Sequence, residues 1–242
     1  MAESTFTEKK RQHYIPQFYL RNFSCADSKN NIGLFHFNTV RDTIAFSAIK
    51  SQAFEPYYSG KDGTIEDALG KFEQQAAPLI DKIISEKYVP NLGTQEHVLL
   101  QYFTLLTELR NPSLPNHLQE SFSQTMKTAY SKNDEFKEFF EDHMIVFDRE
   151  YLITLGMKHL DMHMAFTSDL EYKLILNETT YPFIISDNPV IKYNQFLEAR
   201  KRPENVTGYS TQGLQILLPL SPHCLMLFSI RGSTKSARKR HE

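Results

Sequence analysis

At 242 residues the chain is long enough to bury a sizeable core in one domain without disulfides or metal staples. Its 27 Lys and Arg against 29 Asp and Glu give a formal charge of -2, which excludes a global field drawing it to nucleic acid or an anionic membrane. Two cysteines, Cys25 and Cys224, without C-x-x-C spacing, exclude a disulfide scaffold and a cysteine zinc site and point to a reducing compartment.

The first twelve residues are polar and charged, with no apolar core of signal-peptide length, and are expected to be a flexible lead. No run of about eighteen apolar residues follows, so a cytoplasmic protein with no membrane partner is expected. The segment His13-Tyr14-Ile15-Pro16-Gln17-Phe18-Tyr19-Leu20-Arg21-Asn22-Phe23 sets an imidazole and a guanidinium around four aromatic rings. That is too polar and too interrupted by proline for core alone. Residues 33–58 alternate like a hairpin, with turn residues at Asn30, Asn31, Gly33, Asn38 and Thr39. The period then changes to helical over 65–84, with Thr64 as a candidate cap, and again over 94–109. Asn111-Pro112 ends that helix, because the residue before proline is pushed out of the α region. Further helices are expected at 112–131, 134–143 and 148–166, five in the block 64–167. After Ser168 short strands return in LEYKLILN, YPFIISD, PVIKYN, LQILLPL and HCLMLFSI. The last twelve residues carry Arg231, Lys235, Arg238, Lys239 and Arg240 and read as a disordered basic tail.

Strands at both ends around a helical middle predict an α+β fold in one domain over 13–230. The N-terminal hairpin is expected to join the C-terminal strands in one mostly antiparallel sheet, since neither set alone covers a hydrophobic face.

In order, HYIPQFYLRNF, Tyr57-Tyr58-Ser59, Glu66 and Glu73, Arg110-Asn111-Pro112, ISDNPV at 185–190 and LLPLSP at 217–222 resemble a bacterial domain-of-unknown-function family, number 4238. The resemblance implies a prokaryotic cytoplasmic protein and no settled activity. It also implies elements beyond LLPLSP, where this chain passes into its basic tail.

Several residue sets carry candidate chemistry. His13 titrates near neutral pH and suits a general acid or base, and Arg21 suits a clamp for phosphate or carboxylate. The structural alternative has His13 capping a turn and Arg21 pairing with an acid. Asp187, expected at a strand end in Ser186-Asp187-Asn188-Pro189, is a candidate catalytic acid, with Asn188 beside it as a substrate contact. The same residues also form hydrogen-bonded turns with no ligand. Arg110 and His117 look like the Arg-polar-His spacing of the HEPN ribonucleases, although Pro115 intrudes and those domains are all-helical. His159, Asp161 and His163, with His143, have metal-ligand spacing, more often a plain surface helix. Glu171-Tyr172-Lys173 looks like the acidic-x-Lys element of restriction-type nucleases, lacking its upstream Asp. Glu66 and Glu73, seven apart, share one helix face.

These readings predict that His13, Arg21, Glu73, Arg110 and Asp187 converge on one polar cleft, with His13 and Asp187 catalytic, Arg21, Arg110, Glu73 and Asn188 holding substrate, and no metal ligand. A hydrolase or nuclease acting on a nucleotide or nucleic acid follows from that mixture. The alternative is a non-catalytic sensor or protein-partner module of a defence or mobile-element system. Cofactors and oligomeric state are not set by the sequence.

Overall fold

The structure is a computed structural model and describes residues 10–61, 63–130, 149–198, 200 and 207–230. The expected helix at 134–143, residue His143 and the basic tail lie outside the described residues. The fold is α+β, as expected, and runs β1 (Arg11–His13), α1 (Gln17–Arg21), β2 (Cys25–Ala26), β3 (Ile32–Asn38), β4 (Thr43–Ser47) and β5 (Phe54–Pro56). Five described helices follow, α2 (Thr64–Glu86), α3 (Gln95–Leu109), α4 (Leu114–Tyr130), α5 (Arg149–Lys158) and α6 (Leu160–Thr167). The chain closes with β6 (Leu170–Leu176), β7 (Ile191–Tyr193), α7 (Gln195–Glu198), β8 (Gln215–Ser221) and β9 (Cys224–Ile230).

The single shared sheet is not formed. Among the described residues the strands make three sheets, β1-β5, β2-β3-β4 and β6-β9-β8-β7, all antiparallel. The N-terminal strands find partners close in sequence, and the inner strands β8 and β9 of the large sheet are already paired on both sides. The two ends of the chain meet by packing instead. Ile15, Tyr19 and Leu20 share one core with Leu218, Leu220 and Met226 of the large sheet and with Ile80, Ile83 and Leu100 of α2 and α3. Beside a register shift between Pro219 and Ser221, the Tyr19 hydroxyl donates to the Pro219 carbonyl. Tyr19 is fully buried, so Tyr19→Phe leaves that carbonyl unpaired away from water. We expect a loss of about 1–2 kcal/mol in urea unfolding; an unchanged midpoint would show that the bond contributes nothing.

The segment YPFIISD is also not a strand. Pro182 and Pro189 cannot donate to a ladder, the Phe183 N–H donates to the Pro222 carbonyl, and Tyr181 and Ile184 are exposed. Gln12, expected in a flexible lead, is fully buried in β1, its amide donating to the Gly60 carbonyl and accepting from the Ser59 N–H. The expected helix at 148–166 divides at His159 into α5 and α6.

Two helix details prepare the site. The α2 cap is Gly63, at φ 77, rather than Thr64, and Glu66 and Asp67 in the first turn complement the helix dipole. Pro78 inside α2 lacks the N–H that would bond the Gln74 carbonyl, a loss eased because Pro78 and Gln74 are exposed.

Candidate functional site

An open cleft of about 330 Å³ lies between α1 and α2. One wall carries His13 from β1 and Gln17, Phe18 and Arg21 from α1, where 17 and 21 share a face one turn apart. The other wall is a stripe of α2, Glu66, Gly70, Glu73, Gln74 and Ala77, whose spacings of four, three, one and three keep it on one face. Arg110, which caps α3, completes the lining.

Arg110 is 5% exposed and joins three segments. Its guanidinium donates to Glu73 Oε1 at 2.7 Å and to the main-chain carbonyl of His13, while its own carbonyl accepts from the Tyr58 hydroxyl at 2.7 Å. The pair therefore sets where β1 delivers His13 against α2. The Arg110 Nε–H, buried, closes no hydrogen bond among the described residues.

His13 is half-buried, with its ring 5.8 Å from that of Phe54. Nδ1 lies 3.5 Å from the Gln17 amide nitrogen, a contact at the limit of hydrogen bonding whose direction follows from which ring nitrogen carries the proton. Nε2 is buried and closes no hydrogen bond among the described residues. Burial lowers the imidazole pKa below 6.5; the Lys50 carbonyl and the Glu73 carboxylate pull upward, and Arg11 and Arg110 push down with burial. Burial thus favours the neutral form of the ring near pH 7.

Burial also lowers the pKa of His97 and of His163 below 6.5. All three rings bind protons less readily folded than unfolded. Their stability contribution is complete above the unfolded value of 6.5 and is lost as the pH falls toward their folded values. The urea midpoint is thus expected to be lower at pH 5.5 than at pH 7.5, and a higher midpoint at pH 5.5 would contradict the burial of these rings.

Gly70 opens the cleft. A Cβ at this position would meet nothing within 4 Å. Its absence from mid-helix costs about 1 kcal/mol of helix propensity relative to alanine, which the cleft wins back as room. Gly70→Ala is therefore expected to raise stability by about 0.5–1 kcal/mol in urea unfolding while narrowing the cleft; a loss of stability would show that this face is more crowded than it looks.

Four of the residues expected to converge, His13, Arg21, Glu73 and Arg110, do line one cleft. Asp187 is exposed and neither it nor Asn188 is among the lining residues. In that turn Ser186 makes the hydrogen bonds, its hydroxyl donating to the Asn188 carbonyl and accepting from the Asn188 N–H. His117 is exposed on α4 and outside the cleft, so the Arg110–His117 spacing does not assemble. Among the described residues no group of three His, Cys, Asp or Glu is placed to hold a metal ion; Asp161 instead accepts from the Tyr102 hydroxyl. Gln17 and Phe18 lay within the quoted aromatic segment without a role of their own. Gly70, Gln74 and Ala77 were missed; the Glu66–Glu73 face already contains Gly70 and, carried one turn further, reaches Gln74 and Ala77, but it does not say which of them makes room.

The fold and the cleft together define an α+β protein with a polar pocket between its N-terminal segment and its first long helix. The chain belongs to the family described as "Protein of unknown function (DUF4238)", whose model matches residues 11–242, which bears out the resemblance carried by its end motifs. No curated protein and no solved structure matches the chain. No described helix is long and apolar enough to cross a membrane.

Proposed function

We propose that the cleft is a hydrolytic site for an anionic substrate of the nucleotide or nucleic-acid class. The observation that carries this reading is the neutral His13 ring beside an exposed arginine in an open polar cleft, its position fixed by a buried guanidinium. Arg21 anchors the phosphate. The neutral His13 ring takes a proton from water as its oxygen bonds to phosphorus, and the imidazolium returns a proton to the leaving oxygen as the ester bond breaks. Arg110 and Glu73 act one step back, holding the His13 main chain. Asp187 and Asn188 enter this scheme only as an exposed turn, so the acid and base roles fall to the same ring. The setting proposed is the bacterial cytoplasm, in keeping with an exposed free thiol at Cys25.

The test is incubation of the purified protein with RNA, DNA and nucleotides, with and without divalent cations, beside His13→Gln. Equal product from both proteins would refute catalysis by this ring.

A second reading, a partner-binding sensor module, draws on a different surface. Phe35, Phe37 and Ile44 on one face of the β3–β4 hairpin are 60%, 57% and 72% exposed. Contiguous exposed apolar groups of this kind mark interaction surfaces.

A further inference from the structure

We infer that the outer face of the β3–β4 hairpin is a dimerisation surface that takes a second copy of this chain, the two hairpins stacking face to face. The inference rests on the reading of this hairpin as an interaction surface and names its partner.

The hairpin is amphipathic the wrong way round. In its register Phe35 stands opposite Phe46 and Phe37 opposite Ile44, so these four share one face, while Leu34, His36 and Asn38 share the other with Ser47, Ala45 and Thr43. Along β3 the mixed face is the one turned to the body: Leu34 packs against the core, His36 and Asn38 are half-buried, and His36 Nδ1 lies 3.4 Å from the Ser47 hydroxyl. The apolar face meets water, with Phe35, Phe37 and Ile44 60%, 57% and 72% exposed. An antiparallel hairpin with one solvated face ordinarily carries its polar residues there.

The apolar face is also flat. Phe46 lies edge-on to Phe35 with ring centroids 5.1 Å apart and reaches across Gly33, where a Cβ would come within 2.7 Å of its ring. Glycine lets that ring lie against the strand instead of standing off it. A flat apolar face suits another sheet, packed about 10 Å away.

Area and charge select a copy of the same chain. Phe35 and Phe37 leave roughly 100 Å² each in water, and Ile44 with the open part of Phe46 brings the face to roughly 350 Å². Two such faces bury about 700 Å² of apolar surface, and since somewhat over half of an interface is apolar, the whole contact is about 1,200 Å², the low end for a specific complex. None of the four residues is charged, so nothing on the face selects a partner of opposite sign, and a two-fold axis matches it to itself. The charges lie at the ends. Arg41 and Asp42 occupy the tip, and Asp27 and Lys29 the base, where the chain enters β3. With the tip of each hairpin over the base of the other, Arg41 meets Asp27 and Asp42 meets Lys29, twice over. The Asp27 carboxylate also accepts from Asn31 and from the Lys29 N–H, bonds that hold it ionised.

The experiment measures the mass of the whole chain by sedimentation equilibrium from about 1 to 200 µM, where a monomer–dimer equilibrium with a Kd in the tens of micromolar is expected. Phe35→Glu/Phe37→Glu should stay monomeric throughout, and Ile44→Lys should weaken the dimer at least about tenfold. Arg41→Glu, which reverses the charge facing Asp27, should weaken it about threefold. All these side chains are exposed, so thermal midpoints at about 1 µM, where wild type is monomeric, should match wild type. A dimer indifferent to these changes would overturn the inference, as would a monomer that binds phosphatidylcholine–phosphatidylglycerol vesicles through the same rings. Wild type monomeric at every concentration would sink the inference alone and leave the face to another protein. A fall of more than about 5 °C in the midpoint of either apolar-face variant would show these side chains packed within their own chain and sink the surface reading as well.

Discussion

Arg110→Ala is expected to destabilise the protein by about 3 kcal/mol, the low end of the cost of breaking a buried ion pair. The low end applies because Glu73 is 26% exposed on its side chain and recovers some water once its partner is gone. The His13 carbonyl also loses its donor, and β1 its fixed distance from α2. Lysine is no substitute, since a single ammonium does not span the two acceptors that the planar fork reaches together. Glu73→Gln, which keeps an acceptor, should cost about 1 kcal/mol. Glu73→Ala should approach the arginine variant, because it strands a guanidinium that is 5% exposed. With a urea m-value of about 2–3 kcal/mol/M, the Arg110→Ala midpoint should fall by about 1 M or more. A fall below about 0.3 M, or additive costs in the Arg110/Glu73 double variant, would show that the pair is decorative.

Much of the fold was legible because local period and local burial agree. In α2 the buried Leu69, Ala76, Leu79, Ile80 and Ile83 recur at helical intervals, and α3 begins where its period does, with the Thr94 hydroxyl accepting from the His97 N–H. The strands β6, β8 and β9 read correctly from their short apolar runs and the turn residues between them. Pairing between distant strands was not legible, because any β-rich segment can satisfy its ladder with a near neighbour; β1 closes on β5 and β3 on β4 before the large sheet is reached. The site followed the same division. His13 and Arg21 stood out as polar groups in an aromatic segment, Glu73 by the helix face it shares with Glu66 and Arg110 by its place before Asn111-Pro112, and the cleft unites them. Asp187 stood out as an acid at an expected strand end but lies in an exposed turn, since its supposed strand is bounded by Pro182 and Pro189. Gly70 shows the opposite failure, for nothing in a single sequence distinguishes a glycine that makes room from one that merely weakens a helix.

His13→Gln carries the largest expected effect on activity, a fall of about 10²- to 10⁴-fold in hydrolysis, the usual worth of one positioned acid–base group. Glutamine keeps polarity and bulk, and the His13 main-chain carbonyl that Arg110 grips is unchanged, so the fold should hold. Phosphate anchoring rests on Arg21, so ligand affinity should fall far less than the rate, which separates loss of proton transfer from loss of binding. The pH profile gives a readout that packing alone cannot imitate. Burial lowers the His13 pKa, and the unprotonated ring is the active form. The wild-type rate should therefore rise with pH through a value below 6.5 and stay level from there to pH 8. Arg110→Lys should disturb that limb by loosening the His13 main chain, while Arg21→Ala should raise KM and leave the limb in place. A rate that climbs through a pKa above 6.5, or a glutamine variant as active as wild type, would remove His13 from the chemistry and leave the cleft as a binding pocket.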